Sequence, residues 1–324
     1  MSIAPSAARH ADLAPSPKAA SLGPKPPRRP KRPPRNKTTL APLTRTQMLA
    51  RGALAMVAAV MLGFLVNLVG LSQLQHLISQ QQLRGQFTEE LASGTAPVSE
   101  GDYNGVLLPD GVPVGRIEIP AIGVSEIIVE GTGSGTLTAG PGHRRDTVLP
   151  GQAGVSVILA RANAYGGSFG HIQELPPGET ISVITGQGES IFKVRGVRYA
   201  GDPAPAPIAS DQSRLVLVTA RGAPYAPSGV VRVDAELVSK VQAPGARQTN
   251  YYTLPAAQRE LGSDLSTLWA LVFALQFLLL AVALALYSWR LVGGAKAWVV
   301  CAPVLLLAGI LVADQITRLL PNLI

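Results

Sequence analysis

Residues 149–183 read LPGQAGVSVILARANAYGGSFGHIQELPPGETISV, residues 214–222 read RLVLVTARG and residues 230–237 read VVRVDAEL. Each stretch sets a short run of Val, Ile and Leu against a cluster of Gly and Pro. The same texture extends on both sides, through Arg116–Ile119, Ile127–Val129, Val155–Leu159, Thr180–Ile184, Ile191–Val197, Leu215–Val218 and Val230–Val233. Runs this short, separated by turn residues and with no long amphipathic segment between them, predict an all-β barrel or sandwich rather than a parallel α/β sheet.

Outside this region the apolar residues are arranged differently. Ala53–Leu71 (ALAMVAAVMLGFLVNLVGL) carries no charge, and Leu268–Trp289 and Ala297–Ala313 form two further apolar blocks. Each is long enough to cross a hydrocarbon core of ~30 Å at 1.5 Å per residue. The first block is too long for the h-region of a cleaved signal and has no prompt small-x-small site, so it reads as a signal anchor. Trp269, Trp289 and Trp298 stand at block edges, where amphipathic rings favour the interface. Leu71, Leu74, Leu77 and Ile78 continue an apolar stripe beyond the first block and predict a stalk helix. The expected organisation is a disordered Pro/Arg-rich tail over 1–47, a membrane helix over 50–72, a stalk helix and linker over 73–104, a β domain over 105–240, a juxtamembrane linker over 241–266, and membrane helices over 267–289 and 297–316. Asp314 and Gln315, beside Thr317 and Arg318, read as the outer interface.

Charge supports this arrangement. The net charge is +8, with a mean hydropathy of +0.26. About eleven of the 28 Lys and Arg residues lie at or before Arg51, against one acid, Asp12. The region from Gln73 to Leu265 is mildly acidic, which argues against a nucleic-acid-binding face on the folded domain. Basic residues before the first block and in the loop with Arg290 and Lys296 place both on the cytoplasmic side, and the β domain on the other. The tail is expected to meet anionic lipid or to dock a cytoplasmic partner. Cys301 is the sole cysteine and lies in an apolar block, so no disulfide within the chain and no Cys-based metal site is expected, and no cofactor motif is present.

Taken in order, RIEIPAIGV (116–124), EGTGSGTLTAGPGH (130–143), the 149–183 stretch, RLVLVTARG and VVRVDAEL resemble the sortase family over roughly Pro109–Leu237. The resemblance implies a sortase-like barrel, and in sortases a cysteine thiolate attacks the carbonyl of a sorting peptide, a histidine supplies a proton and an arginine stabilises the oxyanion. On the matching positions this chain has Ala220, Arg161 and Arg232. A methyl group cannot form an acyl intermediate. A guanidinium with its ordinary pKa above ~12 cannot cycle a proton near neutrality. The implied protein is a catalytically inactive sortase-like subunit, with His143, Arg161, Tyr165, Ala220, Arg221 and Arg232 as candidate groove residues and an envelope protein or peptide as partner.

Other motifs lead nowhere comparable. Thr219 alternates to the face opposite Ala220. Ser228, read as lying on the loop after that strand, is the remaining hydroxyl for a non-cysteine nucleophile. Gly166–Gly170 fits G-x-S-x-G but has no buried strand before it, so it reads as a glycine-rich turn. Gly131, Gly133 and Gly135 read as a hairpin turn, and the Gly140–His143 segment as a turn with His143 at its end.

Overall fold

The computed structural model describes residues 44–102, 104–292 and 294–324. The expected disordered tail falls almost wholly outside the described residues. The chain divides into two units, Met1–Met48 and Leu49–Ile324, and the β domain belongs to the second.

Eight strands close into a barrel: β1 Pro113–Ile119, β2 Val124–Glu130, β3 Gly142–His143, β4 Gly154–Leu159, β5 Thr180–Thr185, β6 Gly188–Tyr199, β7 Ser213–Ala223 and β8 Ala226–Leu237. Around the barrel the order is β1-β2-β3-β4-β7-β8-β6-β5. Two neighbours are parallel, β2 with β3 and β4 with β7; the others are antiparallel. The expected all-β barrel is thus the observed one. Residues 131–141 connect parallel strands, so the glycines at 131, 133 and 135 belong to a crossover and not to a hairpin.

Alternation along β4 and β7 gives the sheet two apolar faces. Ile158, Leu215 and Leu217 point inward with Val114, Ile117, Ile128, Phe169, Phe192 and Val233, all buried. Each such side chain contributes roughly 1.5–3 kcal/mol on burial, which makes this interior the main source of the barrel's stability. Val157, Leu159, Val216 and Val218 point outward and form a second cluster with Leu137, Val230 and Leu323.

Helix α1 spans Arg45–Val66, and α2 spans Ser72–Ser93. A π-helical turn, Asn67–Leu71, joins them without a break. Gly94, at φ +71°, ends α2 in the left-handed conformation common at helix C-termini. The segment after the first apolar block therefore does not stand free. Leu83 and Phe87 pack on Ile127 and Val129, and the Gln80 amide serves β2 as a surrogate strand: its Nε2 donates to the Ile127 carbonyl (3.2 Å) and its Oε1 accepts from the Ile127 N–H (2.7 Å). Leu74, Leu77 and Ile78, the stripe that predicted a stalk, are exposed on the other side. Polar residues face the barrel here because they complete a strand edge.

Helices α3, Leu268–Val292, and α4, Gly294–Leu319, pack together through Leu278, Ala308 and Val312. Among the described residues, three helical stretches are long and apolar enough to cross a membrane, within Met61–Ser93, Leu265–Ser288 and Val299–Leu319. They associate the protein with a membrane.

Candidate functional site

The outward faces of β4, β7 and β8 form the floor of a groove. Register sets Val218 opposite Arg232 and Ala220 opposite Val230, so Ala220 and Arg232 share this face. Thr219 turns inward, is buried, and its hydroxyl donates to the Ala160 carbonyl at 2.8 Å. Ala220 and Arg221 line a cavity of about 60 Å³ with Ala162, Asn163, Tyr225 and Ile324. Small-molecule pockets usually measure ~300–1,000 Å³, so the space left here is too small for a peptide.

Arg161 lies two residues beyond the end of β4 and is 1% exposed. Its Nη2 donates to the Ser134 carbonyl (2.7 Å) and hydroxyl (3.0 Å), and its Nη1 to the main-chain oxygen of Ile324 (2.7 Å). The guanidinium carbon lies 5.1 Å from the centroid of the Tyr165 ring, a favourable cation–π placement. No carboxylate side chain among the described residues pairs with it. Burial lowers its pKa from the ordinary guanidinium value to about 10, with the Tyr165 hydroxyl acting in the opposite sense. The group stays cationic at neutral pH, so it can hold carbonyl oxygens but cannot shuttle protons. Tyr165 is buried beside it, at φ +50°, and burial pushes its phenol above the ordinary value.

The remaining candidates lie elsewhere. Arg232 pairs with Glu260, whose other oxygen is 3.8 Å from Arg144, and it borders a separate cavity with Tyr251, Leu254 and Arg259. The Arg221 guanidinium lies 4.6 Å from the centroid of the Tyr199 ring. His143 is not in the groove: it sits in β3 opposite Ile158, whose side chain faces the interior. It is buried, with Nδ1 2.9 Å from Glu130 and Nε2 2.9 Å from the Val148 carbonyl. Ser228 belongs to β8 rather than to a loop, is exposed, and donates to the Arg221 carbonyl at 3.3 Å. His171 is paired with Glu174.

Ser168, in the G-x-S-x-G segment, donates to Glu126 at 2.6 Å, and the other Glu126 oxygen meets His76 Nε2 at 3.1 Å. The carboxylate stands between hydroxyl and imidazole, so the base that would activate a serine is not beside it. Among the described residues no cluster of three or more His, Cys, Asp or Glu could hold a metal ion.

Sequence reasoning placed Arg161 at the site but missed the residues that hold it. Ser134 comes from the glycine crossover and Ile324 from far along the chain. The signal available was an arginine ending an apolar strand with no nearby acid, together with the uncharged stretch Leu320–Ile324 after the last apolar block.

A closed eight-stranded barrel in which β4 and β7 run parallel frames these positions. Residues 117–237 match the family model described as the sortase domain. That match spans a little over a third of the chain and coincides with the barrel. The chain is similar to the sortase D5 transpeptidase of Clostridium perfringens, at 19% identity over 51% of this chain and 99% of that one, with a TM-score of 0.40. It is also similar to sortase A of Corynebacterium diphtheriae (18%, 51% and 84%, TM-score 0.36) and to sortase E1 of Streptomyces coelicolor with a tripeptide in its active site (22%, 41% and 91%, TM-score 0.35). A comparison with curated proteins finds no match.

Proposed function

We propose that this protein is a non-catalytic sortase-like membrane subunit whose barrel binds or scaffolds a protein or peptide in a cell-envelope assembly of a Gram-positive organism. The observation that carries the reading is the groove floor. Ala220 presents a methyl group where the family has its thiol, and the sole cysteine, Cys301, sits on α4 within an apolar helix. Arg161, at the position matching the histidine, is bonded to carbonyl oxygens and is cationic at neutral pH.

The barrel lies outside the cytoplasm in this reading, with the basic N-terminal tail inside. The π turn before α2 carries Leu68, which packs on Tyr165, and the segment after α4 also reaches the barrel. Both therefore meet the barrel on one side, which suits one helix before it and a helical hairpin after it. The exposed Leu74, Leu77 and Ile78 would meet lipid, and the Pro/Arg-rich tail would meet anionic headgroups or a cytoplasmic partner.

The test is a transpeptidation and peptidase assay of the purified full chain on sorting-type peptides, alongside photo-crosslinking from positions near Ala220 and Arg161. The expected result is no turnover and a specific adduct. Turnover that disappears in the Ser228→Ala variant would overturn the proposal in favour of a non-cysteine nucleophile.

A further inference from the structure

The groove has an occupant, and it is this chain. Leu323 is fully buried in the outward apolar cluster of Val157, Leu159, Val216 and Val218. Its carbonyl accepts from the Ala162 N–H at 3.0 Å. One position on, the Ile324 main-chain oxygen accepts from Arg161. One position before, Asn322 is also fully buried: its N–H donates to the Gly262 carbonyl (3.0 Å), and its amide donates to the carbonyls of Thr132 (2.7 Å) and Arg259 (2.9 Å). Upstream, the Ser134 hydroxyl that bonds Arg161 lies 3.1 Å from the Leu320 carbonyl.

These contacts have the form of a peptide-binding site. Main-chain groups are held one after another by fixed donors and acceptors, one apolar side chain fills a pocket, and one amide side chain is read by carbonyls on two separate segments. A buried guanidinium with no carboxylate side chain paired to it among the described residues is costly unless its donors are met, and here the docked segment meets one of them.

We propose that the groove is a site for the chain's own segment Leu320–Ile324, a non-covalent clasp that fixes the end of α4 to the barrel and must be withdrawn before any other peptide can enter. The ligand class is a peptide with uncharged side chains, adjacent Asn and Leu among them, folded into a turn in which the Ile324 N–H donates to the Pro321 carbonyl at 3.2 Å. This inference names the occupant for the binding role proposed above. It is tested by accessibility rather than by turnover, so the two readings fail separately.

The experiment uses the full chain in detergent micelles, in a Cys301→Ser background carrying Ala220→Cys as a probe. With the clasp seated, a bulky maleimide should modify the probe slowly. Adding Leu323→Asp, which cannot bury its charge in the cluster, should raise the rate about tenfold or more, as local opening no longer limits it. An acetylated, amidated Leu-Pro-Asn-Leu-Ile peptide should then slow the reaction again. Should Leu323→Asp fail to fold by circular dichroism, Asn322→Ala replaces it and is expected to raise the rate several-fold. Equal rates with and without these substitutions would overturn the proposal, and so would a peptide that gives no protection.

Discussion

The inner and outer faces of β4 and β7 are both apolar, yet they are finished by different parts of the chain. Inward, Ile158, Leu215 and Leu217 meet partners drawn almost entirely from the barrel's own strands and connections. Outward, Val157, Leu159, Val216 and Val218 are covered by Leu137, by the partly buried Leu261 and by Leu323. The buried nitrogen-bearing side chains on the two sides follow the same division. His143 is bonded to Glu130, its neighbour in the β2–β3 register, whereas Arg161 depends on Ile324. The lesson is that the barrel completes its interior from its own strands and connections, while the groove face relies also on residues far beyond them.

Four measurements would break or sharpen this contrast. The largest effect is expected for Leu217→Ala, which should cost about 2–5 kcal/mol in chemical unfolding of the full chain, because a closed core relaxes little around a cavity. Next comes a double-mutant cycle. Leu159→Ala and Leu323→Ala should be coupled by about 0.5–3 kcal/mol, whereas Leu217→Ala and Leu323→Ala should add within ~0.5 kcal/mol. Coupling of the same size in both pairs would erase the distinction between the faces. Smaller again is Tyr225→Gly at the β7–β8 turn. Tyr225 has φ +61°, a conformation that favours glycine, so this substitution should stabilise the fold modestly, by at most about 1 kcal/mol in the same unfolding experiment.

The smallest effect concerns Tyr165. Burial raises its pKa above the usual ~10 of a phenol, so the folded state retains a proton that the unfolded state has begun to lose. Stability from this group is therefore complete below about pH 10 and declines as pH rises through the folded value. The ultraviolet phenolate difference between the parent and Tyr165→Phe should show the raised titration. Leu323→Asp should bring it back toward ~10 if the segment contributes to that burial.

The barrel was legible because its strands are short runs rich in Val, Ile and Leu separated by turn residues. Strand β3 was not, since Gly142–His143 is too short to show a period and its pairing with β2 is parallel. The packing of α2 on the barrel was not legible in its apolar stripe, for a definite reason. An apolar stripe ordinarily marks the face that packs on protein, but Gln80 is needed to complete β2, and the stripe of Leu74, Leu77 and Ile78 faces away. Of the groove candidates, the structure sets Arg161 against Tyr165, places Ala220 and Arg221 at one small cavity with the Arg221 guanidinium over Tyr199, ties Arg232 to Glu260 and turns His143 inward. Spacing along strands can locate a position on a face. It cannot reveal which distant segment will come to lie upon that face.

That dependence on a distant segment carries a temporal consequence. The strands end at Leu237, and Leu323 is synthesised 86 residues later, an interval of about 4–17 s at ~5–20 residues per second. Throughout it the outer strip of Val157, Leu159, Val216 and Val218 lacks part of its cover. Leu323 can arrive only after the α3–α4 hairpin has been made and its far end brought back to the barrel. Closure of the groove thus records that the hairpin has been threaded, and a nascent chain stalled in that step would remain marked by a bare apolar strip open to chaperones and proteases.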